Sequence, residues 1–207
     1  MAKLLYIQAS PRGDRSASIA VAKHFIATYH ATNSDDQIET LDLWDADLPE
    51  FDGDTIKAKY AVLNGQEHTP EEIAAWDAVV KIADQFKSAD KILLSLPMWN
   101  FSIPYKLKHY IDILAQPGLT FSFTPEEGYK GLVTGKPLVV IYARGGAYGP
   151  GSGAEGYDQQ STYVKQIFGF LGFTDIREIL VEPTLSPTKD EIVEAAKLVA
   201  AKLVAEF

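Results

Sequence analysis

Short, almost wholly apolar runs alternate with amphipathic stretches along the entire chain, and this alternation constrains the fold more than any other feature. The apolar runs are Lys3–Ala9, Ile38–Leu43, Lys91–Leu96, Leu138–Ala143 and Phe173–Val181. Their length and β-branched content predict strands. Between them, Ile19, Ala22, Phe25, Ile26 and Tyr29 recur at helical spacing, as do Ile103, Leu107, Tyr110, Ile111 and Leu114. Thr69-Pro70-Glu71-Glu72 reads as a capping box with proline in the first turn, opening a helix to about Lys87. Pro104 is expected in a first turn, Tyr157–Leu171 is predicted helical, and Ser186-Pro187 is expected to start a last helix through Ile192, Ala196, Val199 and Leu203.

Strands joined by crossover helices imply an α/β domain with a parallel sheet covered on both faces. The 207 residues fit one domain, 1–207, with no repeat or linker. Five strands suit the doubly wound order 2-1-3-4-5, while a Rossmann order stays open from the pattern alone. Two stretches interrupt the alternation. One is Trp44–His68, with a short helix expected near Thr55–Asn64. The other is Leu119–Val133, whose Thr120-Phe121-Ser122-Phe123, turn and Tyr129 read as an inserted β-hairpin.

Composition removes several chemistries. A formal net charge of -9 disfavours nucleic acid and anionic membranes as partners. With no cysteine, disulfides, thiolate metal sites and cysteine nucleophiles are excluded. No run approaches the roughly 18 apolar residues of a membrane span, and the N-terminus reads as a strand, so a cytoplasmic setting is expected. His24, His30, His68 and His109 lack metal-like spacing, so no metal is expected. Asp35-Asp36 and Glu126-Glu127 read as solvated loop charges, and Trp44 and Trp76 as packing or interface residues.

In such a sheet, ligands sit outside the carboxyl ends of the strands, where strand order reverses. Ser10-Pro11-Arg12-Gly13-Asp14-Arg15-Ser16-Ala17-Ser18 joins a strand to a helix start. It offers hydroxyls, guanidinium groups, free N–H groups and the positive end of a helix, which together suit a phosphate. Neither a Walker ending nor GxGxxG is present. Pro97-Met98-Trp99-Asn100-Phe101-Ser102-Ile103-Pro104 places aromatic and amide side chains at the end of a buried strand, which suits a flat heteroaromatic ring. Ala143-Arg144-Gly145-Gly146, followed by Tyr148, offers backbone that can approach a ligand closely.

Together these loops resemble the FMN-dependent NADH:azoreductases, a group of flavodoxin-like NAD(P)H:quinone reductases. The likeness spans essentially the whole chain, and Pro97–Pro104 carries it most specifically. It implies a flavodoxin-like fold and a homodimer with one non-covalent FMN per subunit. It implies that Ser10, Ser16, Ala17 and Ser18 hold the phosphate. It implies that Met98, Trp99, Asn100, Phe101, Ala143, Arg144, Gly145 and Gly146 line the isoalloxazine. From the loops themselves, Arg12 and Pro97 join the candidate cofactor contacts. Trp99 replaces a tyrosine common in relatives, and Ala143 a frequent serine.

The activity implied is ping-pong reduction: NADH or NADPH donates, then a quinone or azo compound accepts two electrons in the same flat space. Arg144 is the candidate stabiliser of negative charge on the reduced flavin and Tyr148 a candidate proton donor. Trp99, Asn100, Phe121 and Tyr129 are the candidate substrate contacts, with the hairpin and the Trp44–His68 insertion expected to close a partner's site. The rival is a one-electron flavodoxin-type carrier. A receiver domain would need aspartates where Ala9-Ser10 and Leu96-Pro97 stand, and a dinucleotide dehydrogenase would need the missing glycine motif.

Overall fold

The computed structural model describes residues 1–63 and 69–207. Its main sheet is formed by β1 (Lys3–Gln8), β2 (Gln37–Asp42), β3 (Lys91–Pro97), β6 (Pro137–Ala143) and β7 (Asp175–Val181). β4 (Phe121–Thr124) and β5 (Gly128–Gly131) form the separate antiparallel hairpin. The spatial order β2-β1-β3-β6-β7 is parallel throughout. Counted within the main sheet, that is the expected 2-1-3-4-5, and the Rossmann order is set aside.

The sheet is buried on both faces because its strands alternate between two cores. Leu5, Ile7, Ile92, Leu94, Leu138 and Val140 face one core. That core is closed by α3 (Pro70–Ser88), α4 (Tyr105–Leu114) and α5 (Gln159–Leu171). Leu4, Tyr6, Leu93, Val139 and Ile141 face the other, under α1 (Ala17–Thr32) and α6 (Lys189–Val204). A further helix, α2 (Gly53–Leu63), fills part of the Trp44–His68 insertion. The expected end of that helix at Asn64, and His68, lie outside the described residues.

Local signals hold where they are local. The Thr69 hydroxyl accepts from Glu72 N at 3.3 Å and a Glu72 carboxylate oxygen accepts from Thr69 N at 2.9 Å, which completes the capping box. Boundaries move where neighbours decide. Pro97 ends β3 instead of stopping it early, and Met98 N still donates to Ala143 O at 2.8 Å. Pro104 caps α4 from outside its first turn. α5 starts at Gln159 because the Asp158 carboxylate accepts from Ser161 N, leaving Glu155–Tyr157 as a 3-10 turn. α6 starts at Lys189, beyond Ser186-Pro187.

Asp36 is not a solvated charge. Its carboxylate accepts from the Tyr29 hydroxyl and from Ala2 N, both at 2.6 Å. The Tyr29 bond first, then Ala2 N–H, holds its carboxyl below the ordinary range. Glu39 is lowered in the same way, first by Lys3 and then by Gln85. A depressed carboxyl adds stability that is fully present above the unfolded value of about 4 and is lost as pH falls through the folded value. Asp36→Asn should therefore melt lower than wild type near neutrality and lose less of its melting temperature on acidification. Parallel melting curves against pH for the two proteins would contradict this.

Candidate functional site

The carboxyl ends of β1, β3, β6 and β7 open into one cleft of about 260 Å³. Ser10, Arg12, Arg15, Ser16 and Ala17 line one end, and Pro97, Met98 and Trp99 one wall. Ala143 and Gly145 come from the β6 end, and Thr184, Leu185 and Lys189 from the segment after β7. Nine of the candidates thus line one cleft. The last three were missed by sequence reasoning. They carry no glycine or aromatic motif, but they follow a fifth strand whose carboxyl end faces the same side.

The phosphate-like end has a clear local cause. Ser16 is the N-cap of α1, its hydroxyl accepting from Ile19 N at 3.5 Å and lying 3.1 Å from that of Ser18. Ala17 and Ser18 occupy the first two helical positions, whose N–H groups have no intrahelical acceptor. Ser10, Ser16 and Ser18 are all buried. Among the described residues, Arg12, Arg15 and Lys189 form no ion pair. An acidic protein therefore keeps three unpaired cations around one helix start. Serine hydroxyls, free N–H groups and cations form a donor set for an anion.

At the opposite wall, Trp99 N donates to Ser102 O and Ser102 N to Trp99 O, both at 2.9 Å. Asn100 and Phe101 between them have φ of 47° and 68°. This is a two-residue turn with both central residues left-handed, the primed geometry that favours Asn-Gly. Asparagine tolerates it, but phenylalanine is held there at a cost of about 1 to 3 kcal/mol. The Phe101 ring lies 5.2 Å from that of Tyr157 and 6.1 Å from that of Tyr148, and is 45% exposed. Relief of the left-handed backbone opposes the loss of these two ring contacts and the added chain freedom of glycine, so Phe101→Gly should melt within about 4 °C of wild type. A larger drop would show that ring packing outweighs the backbone cost.

Trp44 braces this wall from behind. Its Nε1 donates to Ala9 O at 3.2 Å, and its ring lies 5.8 Å from Trp99 and 5.4 Å from Tyr105. Trp76 is buried in the α3 core as a packing residue.

Several candidates lie elsewhere. The Arg144 side chain is directed away from the cleft and lines a neighbouring pocket of about 270 Å³ with Tyr148. Its guanidinium is taken up by Asp158, Glu182 and Gln160, so it does not offer charge to a ligand in the cleft. Gly146 packs against the Tyr148 ring, and Ser18 stands behind Ser16. Phe121 and Tyr129 pack on Phe170 of α5, with centroids at 4.8 and 5.6 Å, and do not line this chain's cleft. Asn100 and Phe101 follow Trp99 in the turn but do not line the cleft. Burial pushes Tyr6 up to about 12, partly offset by its bond to Ser95, and drives Tyr110 and Tyr142 higher still. These phenols stay protonated at neutral pH. Among the described residues no cluster suits a metal ion, and no helix is long and apolar enough to cross a membrane.

With this geometry in hand, the likeness to known proteins is specific. A family profile described as flavodoxin-like fold matches residues 2–204. An FMN-dependent NADH:quinone oxidoreductase of Desulfotalea psychrophila is 52% identical, covering 100% of this chain and 98% of that protein. Its namesake in Nitratidesulfovibrio vulgaris is 51% identical over 97% and 99%. The crystal structure of an azoreductase from Bacillus anthracis superposes with a TM-score of 0.91 at 33% identity, covering 100% of both chains. An FMN-dependent NADH-azoreductase from the same species, solved in complex with FMN, gives 0.90 at 33% identity, covering 100% of this chain and 99% of that one. The chain belongs to the flavodoxin-like family that contains the FMN-dependent NADH:quinone oxidoreductases and azoreductases.

Proposed function

We propose that this protein is an FMN-dependent NADH:quinone oxidoreductase that also reduces aromatic azo compounds, working in the cytoplasm as a homodimer. The observation that carries this is the cleft itself: an anion-binding helix start and an aromatic wall meet where the strand order reverses between β1 and β3. Full-length identity above half to relatives bearing that activity in their names supports it.

The residues present fit FMN. Ser10 and Ser16, the N–H groups of Ala17 and Ser18, and Arg12 and Arg15 would hold its phosphate, with the Ser18 hydroxyl bonded to that of Ser16 behind them. Lys189, which also lines the cleft, would add a third cation. Pro97, Met98 and Trp99 would flank its ring, as would the backbone of Ala143 and Gly145, with the Asn100-Phe101 turn continuing the wall beyond Trp99. Bound there, FMN supplies two-electron chemistry between a reduced nicotinamide and an acceptor. The chain contributes shape: Trp44 and Tyr105 stiffen Trp99, as does the turn at Asn100-Phe101 that follows it. A flat nicotinamide and a flat quinone would both need the room that this one cleft leaves beside the aromatic wall, which favours their alternation.

A cleft of about 260 Å³ is small for a site of this kind. Leu185 at its edge is 86% exposed, and Tyr129 on the hairpin 67%. A second copy covering this rim would enclose the acceptor and give Phe121 and Tyr129 a substrate role across the interface.

The reading is tested by steady-state kinetics on FMN-loaded protein with NADH and a benzoquinone. Parallel double-reciprocal lines are expected. Intersecting lines would overturn alternation. Failure to oxidise NADH without a separate reductase would favour the one-electron carrier.

A further inference from the structure

Arg144 follows the flavin-facing strand β6, yet it is 1% exposed and points away from the cleft. Each of its three side-chain nitrogens donates a hydrogen bond. Its Nε donates to Gln160 Oε1 at 3.0 Å, Nη2 to Asp158 at 2.8 Å and Nη1 to Glu182 at 3.2 Å. Its carbonyl accepts from Thr184 N at 2.8 Å and the Thr184 hydroxyl at 2.9 Å.

Glu182 carries the connection onward. Its carboxylate accepts from Tyr148 N at 3.1 Å and from Gly149 N at 2.7 Å. It therefore fixes the backbone of the loop that leaves Gly145. Leu185 N donates to Gly145 O at 3.1 Å and ties the segment after β7 to the same loop. Gly145, Thr184 and Leu185 all line the cleft. Asp158, the third member, is the N-cap of α5 and accepts from Ser161 N at 2.8 Å.

We propose that Glu182 and Asp158 form an ionic clasp around the buried Arg144 that sets the position of the two cleft-lining loops after β6 and β7, which makes Arg144 a positioning residue that acts on FMN only through backbone. This rests on the FMN reading above. One cation faces two carboxylates, so the clasp carries no surplus positive charge for a reduced ring. What it does carry is directional: both carboxylates are largely shielded, Glu182 being spent on the loop N–H groups of Tyr148 and Gly149 and Asp158 on Ser161 at the start of α5. Removing either partner strands the other in a poorly solvated site.

Position and charge make opposite forecasts. Arg144→Met and Glu182→Gln alter local charge in opposite senses but break the same clasp. The test measures amide exchange at Tyr148 and Gly149 in the apoprotein, then FMN affinity by flavin fluorescence and the midpoint potential of the bound flavin. Both variants should speed exchange at those two amides and weaken FMN by about ten-fold or more, in the same direction. Gly149→Ala serves if Arg144→Met does not fold. A Cβ there would lie 2.6 Å from Glu182 Oε1, displacing the carboxylate without removing any charge. It should weaken FMN likewise. Potentials that shift in opposite directions at unchanged affinity would overturn the proposal in favour of direct charge. So would lower melting temperatures with unchanged FMN affinity, which would mark the clasp as structural only. Wild-type protein that binds no FMN would sink the functional reading instead, and the apoprotein amide exchange would still report the clasp.

Discussion

Ser16→Asp should abolish tight FMN binding while leaving the fold intact. Ser16 is the N-cap of α1, and aspartate caps a helix as well as serine does. A carboxylate at a helix N-terminus is also favoured by the macrodipole. The melting temperature should therefore stay within a few degrees. The same carboxylate, however, takes the place proposed for a phosphate carrying about -1.5 to -2 charges. Unit charges 4 Å apart repel by about 4 kcal/mol at an effective dielectric of 20. With Arg12 and Arg15 offsetting part of this, about 3 kcal/mol remains, a loss of roughly 100-fold in affinity. Calorimetric titration of the apoprotein checks it. Wild-type affinity in a well-folded Ser16→Asp would place the phosphate somewhere else.

Gly131→Ala should be the most destabilising glycine-to-alanine change among the described residues. A Cβ at Gly131 would lie 2.3 Å from Gly172 N, 2.4 Å from Leu171 C and 2.5 Å from Gly172 Cα. All three are backbone atoms at the end of α5, so no side chain can swing aside. Either the hairpin or the helix end must move, with loss of the Val133 N to Leu171 O bond and of the contacts of Phe121 and Tyr129 with Phe170. Overpacking of this kind costs about 3 kcal/mol, or roughly 6 to 12 °C in a domain of this size. Gly128→Ala is the control. Its φ is 70°, but a Cβ would meet nothing within 4 Å. It should cost only the left-handed backbone penalty, about 1 kcal/mol. Equal melting temperatures for the two variants would show that the hairpin does not pack on α5 in solution.

How far the sequence was legible depends on the range of the forces at each point. Thr69 and Glu72 cap α3 through neighbours three positions apart, so the motif predicts its own geometry. The buried strands declare themselves because both faces must be apolar. Ser10 and Ser16 were legible as well, since a helix start after a strand is a local event. Arg144 was not, because the groups that claim it lie 14 and 38 positions away. A signal did exist: Leu138, Val140 and Tyr142 face the α3–α4–α5 core, and Arg144 continues their parity. Its guanidinium carbon indeed lies 5.1 Å from the Tyr142 ring centre. Lys189 and Leu185 lacked even that cue, because the sheet order alone brings the end of β7 to the cleft. Asp36 read as a solvated charge because Tyr29 and Ala2 meet it only after α1 and β1 have packed.

The most direct measurement is the visible spectrum of the purified protein before and after anaerobic addition of NADH. A yellow protein whose flavin bands bleach with NADH alone, and return when a quinone is added, is the predicted result. A colourless protein that takes up no added FMN would contradict the central claim and leave the cleft between β1 and β3 to another anionic ligand.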